Sequence, residues 1–336
     1  MPSHLHLAYR RNAQAAAKNH RVRKNKDEHL LEKARDEFGF FCEYVADKPP
    51  AKHHKEWNKQ LVTNENSSCL LKIAGPNIDL LGPRGSAKST VLGLFTAWAI
   101  GIHTAAKKPL QILYLSYTVD IARSKSATIK RIIESKRYQE VFPTVKLLKN
   151  VTSNEYWSID HKFAGIDTTG EEQFTLCAAG LKGSVTSKRS QLVIIDDPVK
   201  SAADIGNPDI RKMMQDNWNA VIAPTMFEGG RAICLGTRFR HDDIHATTFC
   251  QQNNWMQIVL SAILNNEETG EEESYWPAMW SLEYLKEKKR QAPIAFSFQY
   301  MNQIVRQNEL SLAPELLVKA EIATEFDCLG VGVDLS

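Results

Sequence analysis

The sequence predicts an α/β protein with a largely parallel sheet flanked by helices, a helical N-terminal arm and a small C-terminal lobe. Three observations carry this. Short apolar runs of strand length alternate with helix-length segments through most of the 336 residues. The run Ile78-Asp-Leu-Leu81 enters a glycine-bearing loop and leaves it directly into an apolar, helix-length run, Val91 to Ile100. A further apolar run, Leu192-Val-Ile-Ile195, ends in Asp196-Asp-Pro198. A strand of that kind buries both faces and releases its acids at its carboxyl end, where open α/β sheets bind ligands.

The loop reads Gly82-Pro-Arg-Gly-Ser-Ala-Lys-Ser-Thr90. It fits Gly-x-x-x-x-Gly-Lys-Ser/Thr at every defined position but one, where Ala87 replaces the second glycine. Backbone N–H groups of Gly82, Pro83–Ala87 (proline excepted) and the helix start at Lys88, Ser89 and Thr90 would cradle phosphates. Lys88 would lie between the β- and γ-phosphates of ATP, and Ser89 would ligate Mg²⁺. The Cβ of Ala87 costs something if the loop needs positive φ there. Strand, loop and helix in this order predict a P-loop NTPase of the ASCE or RecA-like kind.

Composition sets the bounds. At 43% hydrophobic and 24% charged residues the chain is ordinary globular protein. No apolar run is long enough to span a membrane, and the basic N-terminus lacks the apolar stretch of a secretory signal. The six cysteines form no Cys-x-x-Cys pair, which argues against a zinc ribbon and fits a reducing compartment. A net charge of +3 is too small to prove a polyanionic partner, so where the charge lies matters more.

Residues 1–26 carry seven Lys and Arg from Arg10 to Lys26 and no acid, which fits either a solvated leader or a DNA-contacting arm. One amphipathic helix is expected from Glu28 to Tyr44, a second over 51–62. Strands are expected at Leu110–Tyr117, Phe174–Ala178, Arg231–Leu235, Gln257–Leu264 and Leu329–Leu335, with a hairpin element over 150–160. Helices are expected at Ile121–Ile133, Pro208–Val221 and Ser281–Arg290, with an acidic loop over 265–273.

The remaining chemistry gathers around the loop. Asp196 would position Mg²⁺, and Asp197 would polarise the attacking water. A guanidinium near the γ-phosphate neutralises transition-state charge, and Arg84 in the loop and Arg189 before the acid strand are both candidates. Gly236-Thr237 ends a strand beside the site and could sense the γ-phosphate. His54 and Trp57 precede the loop strand and are candidates for reading the adenine base.

Together these motifs resemble the large terminase subunit of tailed bacteriophages. The resemblance runs from His54 to Ser336 and rests on the loop, the spacing of Arg189 to Ile195-Asp-Asp-Pro198, Leu235-Gly-Thr237, Phe298-Gln-Tyr300 with Asn302, and Gly332-Val-Asp-Leu-Ser336. It implies an ATPase domain that pumps double-stranded DNA into a procapsid in the host-cell cytoplasm. It also implies a ring on the portal protein, a small terminase subunit as partner, and an RNase H-like nuclease domain. Gly236 and Thr237 are implied to be the coupling motif, and in a ring Arg189 could act on a neighbour's ATP. The chain departs from the family in using Asp197 where Glu is usual. Asp334 would be the first metal carboxylate of the nuclease, but only two residues follow it, so a motor without a working nuclease is expected.

The expected organisation is an arm over 1–49, the ATPase domain over 50–260, a lobe and linker over 261–328, and the first nuclease strand over 329–336. A helicase-like or repair ATPase would need a second RecA-like domain. A nucleotide-binding switch without motor activity is the other rival.

Overall fold

The computed structural model describes residues 28–62, 75–149, 153–169, 174–183, 185, 188–266 and 268–303. The basic segment 1–26, Thr186 and Ser187, and the strand expected at Leu329–Leu335 with Asp334 lie outside them.

A seven-stranded sheet forms the centre. Its strands are β1 (Asn77–Leu81), β2 (Ile112–Ser116), β3 (Tyr156–Trp157), β4 (Leu176–Gly180), β5 (Ser190–Asp196), β6 (Met226–Gly236) and β7 (Trp255–Val259), in the order β3-β4-β2-β5-β6-β1-β7. All neighbours pair in parallel except the short edge strand β3, which runs antiparallel to β4. Strand β6 therefore stands between β1, which leads into the loop, and β5, which ends in the acids. That insertion is the ASCE arrangement.

Alternation along the strands builds two cores. Leu192, Ile194, Ile233 and Leu235 face one side, with Phe95 and Trp98 of helix α3 (Lys88–Ala105). Val193, Ile195, Ala232 and Cys234 face the other, with Met214 of α7 (Pro208–Asn217) and with Trp218 and Phe249. Helix α3 is buried along most of its length, as a helix apolar on all sides must be. The first core also takes α1 (Phe38–Ala46), α2 (Lys52–Leu61), α4 (Val119–Glu134) and α5 (Lys136–Val141). A one-turn helix, α6 (His161–Ala164), follows β3.

Differences from the sequence expectation have local causes. The helix expected from Glu28 to Tyr44 breaks at Glu37, whose backbone is extended, so 28–36 and α1 are separate helices. Past the break, Phe38 packs edge-on to Phe95, and Phe41 packs edge-on to Tyr138. Ala34, Phe38 and Phe41 sit in the main core, so the described helices over 28–46 pack onto the sheet domain. The run Gln257–Leu264 is two strands. Strand β7 belongs to the main sheet, whereas β8 (Ile263–Asn265) pairs with β9 (Glu272–Ser274) in a hairpin that takes up part of the expected acidic loop. Helix α8 (Leu282–Gln291) starts where expected: the Ser281 hydroxyl accepts from the Tyr284 N–H at 3.2 Å, and Lys288, Lys289 and Arg290 occupy its last turn. A short helix the sequence did not suggest, α9 (Pro293–Gln299), follows at once. The β8–β9 hairpin, α8 and α9 share a small core of Ala262, Ile263, Tyr275, Leu285 and Phe296.

Candidate nucleotide site at the sheet's carboxyl edge

The loop leaves β1 at Gly82, whose N–H donates to the carbonyl of Gly236 at 3.1 Å. This ties the loop to the end of β6. Gly85 has φ 82°, and a Cβ there would meet the Trp280 ring at 2.7 Å, so glycine is required on both counts. Ala87 has φ 61° and ψ 26°, the left-handed region, at the N-cap of α3. The loop does need positive φ here, so the alanine carries a strain of about 1–2 kcal/mol that glycine would not.

Lys88 is buried, and its ammonium makes three hydrogen bonds: to the carbonyls of Gly82 and Pro83, each at 3.1 Å, and to Thr237 Oγ1 at 2.9 Å. Burial lowers its pKa, opposed by the charges of Asp197 and Asp196. The Thr237 hydroxyl lies 3.3 Å from the Gly82 carbonyl. The Gly-Thr turn and the loop lysine thus touch directly across 149 residues of sequence.

Asp196 is fully buried at the end of β5. Its Oδ1 accepts from Ser89 Oγ at 2.8 Å, and its Oδ2 accepts from Tyr114 OH at 3.0 Å and faces Lys125 Nζ at 3.7 Å. Burial first, and then Asp197, pushes the carboxyl up to about 6 against the pull of Lys125, Ser89 and Tyr114. The hydroxyl of Ser89 and the carboxylate of Asp196 are hard oxygen donors side by side, a set that suits Mg²⁺, which takes few protein ligands and keeps its waters. Asp197 has φ 48° although a proline follows it, and its N–H is held by the Leu235 carbonyl at 2.8 Å. Both features are costly, and the turn they make sets Asp197 on the cleft wall rather than in the opposite core.

These groups line one cleft of about 360 Å³ with Arg84, Ser116, Lys125, Lys200 and Phe239. The cleft brings together Arg84 to Thr90, Asp196, Asp197 and Thr237, as the sequence anticipates. Two candidates are placed elsewhere. Arg189 is exposed at the amino end of β5, roughly 23 Å along the strand from Asp196. It therefore stands outside the cleft of its own chain. His54 lies under the loop. Its Nδ1 accepts from the Ala51 N–H at 3.2 Å, and its Nε2 donates to the Ser86 carbonyl at 2.9 Å. One ring nitrogen caps α2 and the other braces the loop. His53 points its Nε2 at the same carbonyl at 3.3 Å.

Several site residues were not suggested by the sequence. The small C-terminal lobe grips the loop tip: the Arg84 N–H donates to the Gln299 carbonyl at 3.0 Å, the Arg84 guanidinium donates to Gln299 Oε1 at 3.2 Å, and Trp280 Nε1 donates to the Gly85 carbonyl at 3.3 Å. Behind the Gly-Thr turn, His245 Nδ1 and Asp79 Oδ1 lie 2.8 Å apart, both fully buried. Gln257 donates to the other Asp79 oxygen at 2.8 Å, and Arg238 donates to Gln257 at 2.9 Å. Burial works against the His245 charge, but Asp79 and Asp243 outweigh it and raise its pKa. The available signal was Asp79 itself, an acid interrupting an apolar strand.

Sheet, loop and acid pair define the class, an α/β protein with a mostly parallel seven-stranded sheet flanked by helices and a glycine-bearing loop at its carboxyl edge. Among solved structures the chain is similar to phage large terminases. It resembles that of bacteriophage HK97 at 15% identity, covering 82% of this chain and 55% of that one, with TM-score 0.49. It resembles the large terminase ATPase domain of Thermus phage P74-26 at 14%, covering 76% and 99%, with TM-score 0.42. A third is the large terminase of a thermophilic bacteriophage in complex with ATP-gamma-S, at 9%, covering 76% and 53%, with TM-score 0.47. The chain spans about half of the first and third. No family model and no curated protein matches the sequence. Among the described residues, no helix is long and apolar enough to cross a membrane.

Proposed function

We propose that this chain is the ATP-hydrolysing motor part of a phage DNA-packaging enzyme of the large terminase kind, driving double-stranded DNA into a procapsid in the host cytoplasm. The observation that carries the reading is the pair of contacts made by two adjacent loop residues. Ser89 bonds the carboxylate of Asp196 at 2.8 Å, while Lys88 bonds the hydroxyl of Thr237 at 2.9 Å. One loop thus touches both a metal-type acid and the end of a neighbouring strand, which is what turning phosphate chemistry into motion requires.

In this reading Lys88 exchanges its carbonyl partners for the β- and γ-phosphates of ATP. Ser89 and Asp196 would hold Mg²⁺, which when bound would offset the charge of the phosphates. Asp197 accepts the proton of the attacking water. When Lys88 turns to phosphate, Thr237 loses its partner, and β6 feels the change. DNA as substrate, the portal protein and small subunit as partners, and a ring in which Arg189 serves a neighbouring subunit are carried over with the motif resemblance.

Two variants test the site. Lys88→Ala should abolish ATP hydrolysis with the fold intact, because the phosphate charge then has no partner; near-wild-type turnover by the folded variant would sink the phosphate site. Asp197→Asn should still bind ATP with Mg²⁺ but hydrolyse it at least about a hundredfold more slowly; loss of binding instead would make Asp197 structural. Double-stranded DNA should stimulate the wild-type ATPase. Slow turnover indifferent to DNA would favour the nucleotide switch.

A further inference from the structure

We propose that Lys125 is the cation this chain supplies in cis to the terminal phosphate of the nucleotide. The inference rests on the nucleotide-site reading above and adds a residue to it.

Most of the positive charge near the cleft is already committed, and the exposed Lys200 at its rim is the one other lysine in the lining besides Lys88 and Lys125. The three donors of Lys88 are committed within the loop and to Thr237. The Arg84 side chain is turned to Gln299. Arg189 stands at the other end of β5. Helix α4 carries four basic residues, and three have partners that hold them out of the cleft. Arg123 pairs with Asp120 and Glu155, Lys130 donates to the Ser153 carbonyl at 2.8 Å, and Arg131 donates to Thr128 at 2.9 Å. Lys125 alone of the four lines the cleft, opposite the loop and beside Ser116 and Ile121.

Its position suits a mobile phosphate ligand better than a fixed counter-ion. The 3.7 Å separation from Asp196 Oδ2 is an ion pair without a hydrogen bond. Asp196 already has Ser89 and Tyr114 at hydrogen-bond distance, so it does not need the ammonium to be satisfied. The Lys125 side chain is 34% exposed, so its stem can reorient at little cost. A terminal phosphate would bring up to two negative charges into a cleft already walled by Asp196 and Asp197. Two lysines among the cleft-lining residues have unused donors, Lys125 and the exposed Lys200, and of these Lys125 is the one held against Asp196, at 3.7 Å. ADP lacks that group, so Lys125 should favour ATP over ADP.

The test is the ratio of two affinities. ATP and ADP, each with Mg²⁺, are titrated against a bound fluorescent nucleotide in Asp197→Asn protein, which keeps ATP intact. The same is done with Lys125→Met and Lys125→Arg added. Loss of a charge-assisted bond should weaken ATP about tenfold more than ADP in the Met variant. The Arg variant, which keeps the charge, should recover most of the preference. Equal weakening of both nucleotides, or no change in either, overturns the proposal and leaves Lys125 a counter-ion of Asp196. Should the wild-type protein, titrated alongside, bind neither nucleotide, the nucleotide-site reading fails first and this inference with it. Melting temperatures of the variants separate a binding loss from unfolding.

Discussion

At the scale of single residues, the site is held by backbone positions that tolerate little. Asp197 is kept at φ 48° before a proline by one hydrogen bond to Leu235, and Ala87 stands in the left-handed region where glycine would sit without strain. Gly236 is tighter still. A Cβ there would come within 2.5 Å of His245 Cε1 and 2.6 Å of its Nε2. His245 cannot swing aside, because Asp79 holds its other nitrogen at 2.8 Å inside a fully buried pair. Gly236→Ala should therefore destabilise the protein by about 1–3 kcal/mol, the usual cost of overpacking a closed interior. It should also lower ATP turnover, since Thr237 is the next residue. Urea unfolding measures the first effect; a Gly236→Ala protein as stable as wild type would mean that the His245 pair is looser than its geometry indicates. The loop, the acid pair and the Gly-Thr turn were legible in the sequence because each is a local string whose chemistry depends on neighbours within ten residues. Lys125, Gln299 and Trp280 were not. Lys125 reaches the cleft from α4 and the other two from the C-terminal lobe; the string Phe298-Gln-Tyr300 stood out in the sequence, but nothing local to it, to Lys125 or to Trp280 indicated contact with the loop.

At the scale of elements, the feature with most consequence is the grip of the C-terminal lobe on the loop. Helix α8 begins just after Trp280, and α9 ends at Gln299, so two ends of one small unit bracket Arg84 and Gly85. The period of α8 could be read from its apolar positions and its Ser281 cap. Docking onto the loop could not, because it depends on the β8–β9 turn that folds the chain back. A loop occupied by phosphate must rearrange its carbonyls and Arg84, and Trp280 is bonded to one of those carbonyls at 3.3 Å while stacking on Tyr284. Adding ATP with Mg²⁺ should change tryptophan emission, and Trp280→Phe should remove most of that change although six other tryptophans remain of the seven. An unaltered response in the variant would place the reporting tryptophan elsewhere and separate the lobe from the nucleotide. Gln299→Ala should leave stability within about 1 kcal/mol, because the side-chain bond it removes is exposed, yet it frees Arg84 to turn into the cleft. A change in ATP turnover at unchanged melting temperature is the expected signature.

At the scale of the whole molecule, the sheet order and its two cores follow from period-2 alternation in β5 and β6, which is why the fold class could be read from strand-length apolar runs. What could not be read is how many ionisable groups the fold buries around that sheet. His53, under the loop, and His103, inside α3, are both pushed down to about 4, chiefly by burial. The fold holds their neutral forms, so the unfolded chain takes up protons first as pH falls below its ordinary value near 6.5. Their contribution to stability is whole above that value and is lost as pH falls toward about 4. His245 has the opposite sign. Its raised pKa adds stability as pH falls from the folded value toward 6.5, which partly offsets the acid loss, so the loss owed to one histidine is read from a variant that removes it. His103 is the cleaner test, since it is completely buried and distant in function from the cleft. Between pH 7.5 and 5.0 it should account for a loss of the order of 2 kcal/mol, the linkage expected for a histidine held at about 4. In His103→Leu that part of the loss should vanish, whatever the variant does to absolute stability, because leucine has no proton to take up. Urea unfolding of both proteins at the two pH values reads the difference directly. An identical pH dependence in the variant would show that His103 titrates in the folded protein much as it does in the unfolded chain.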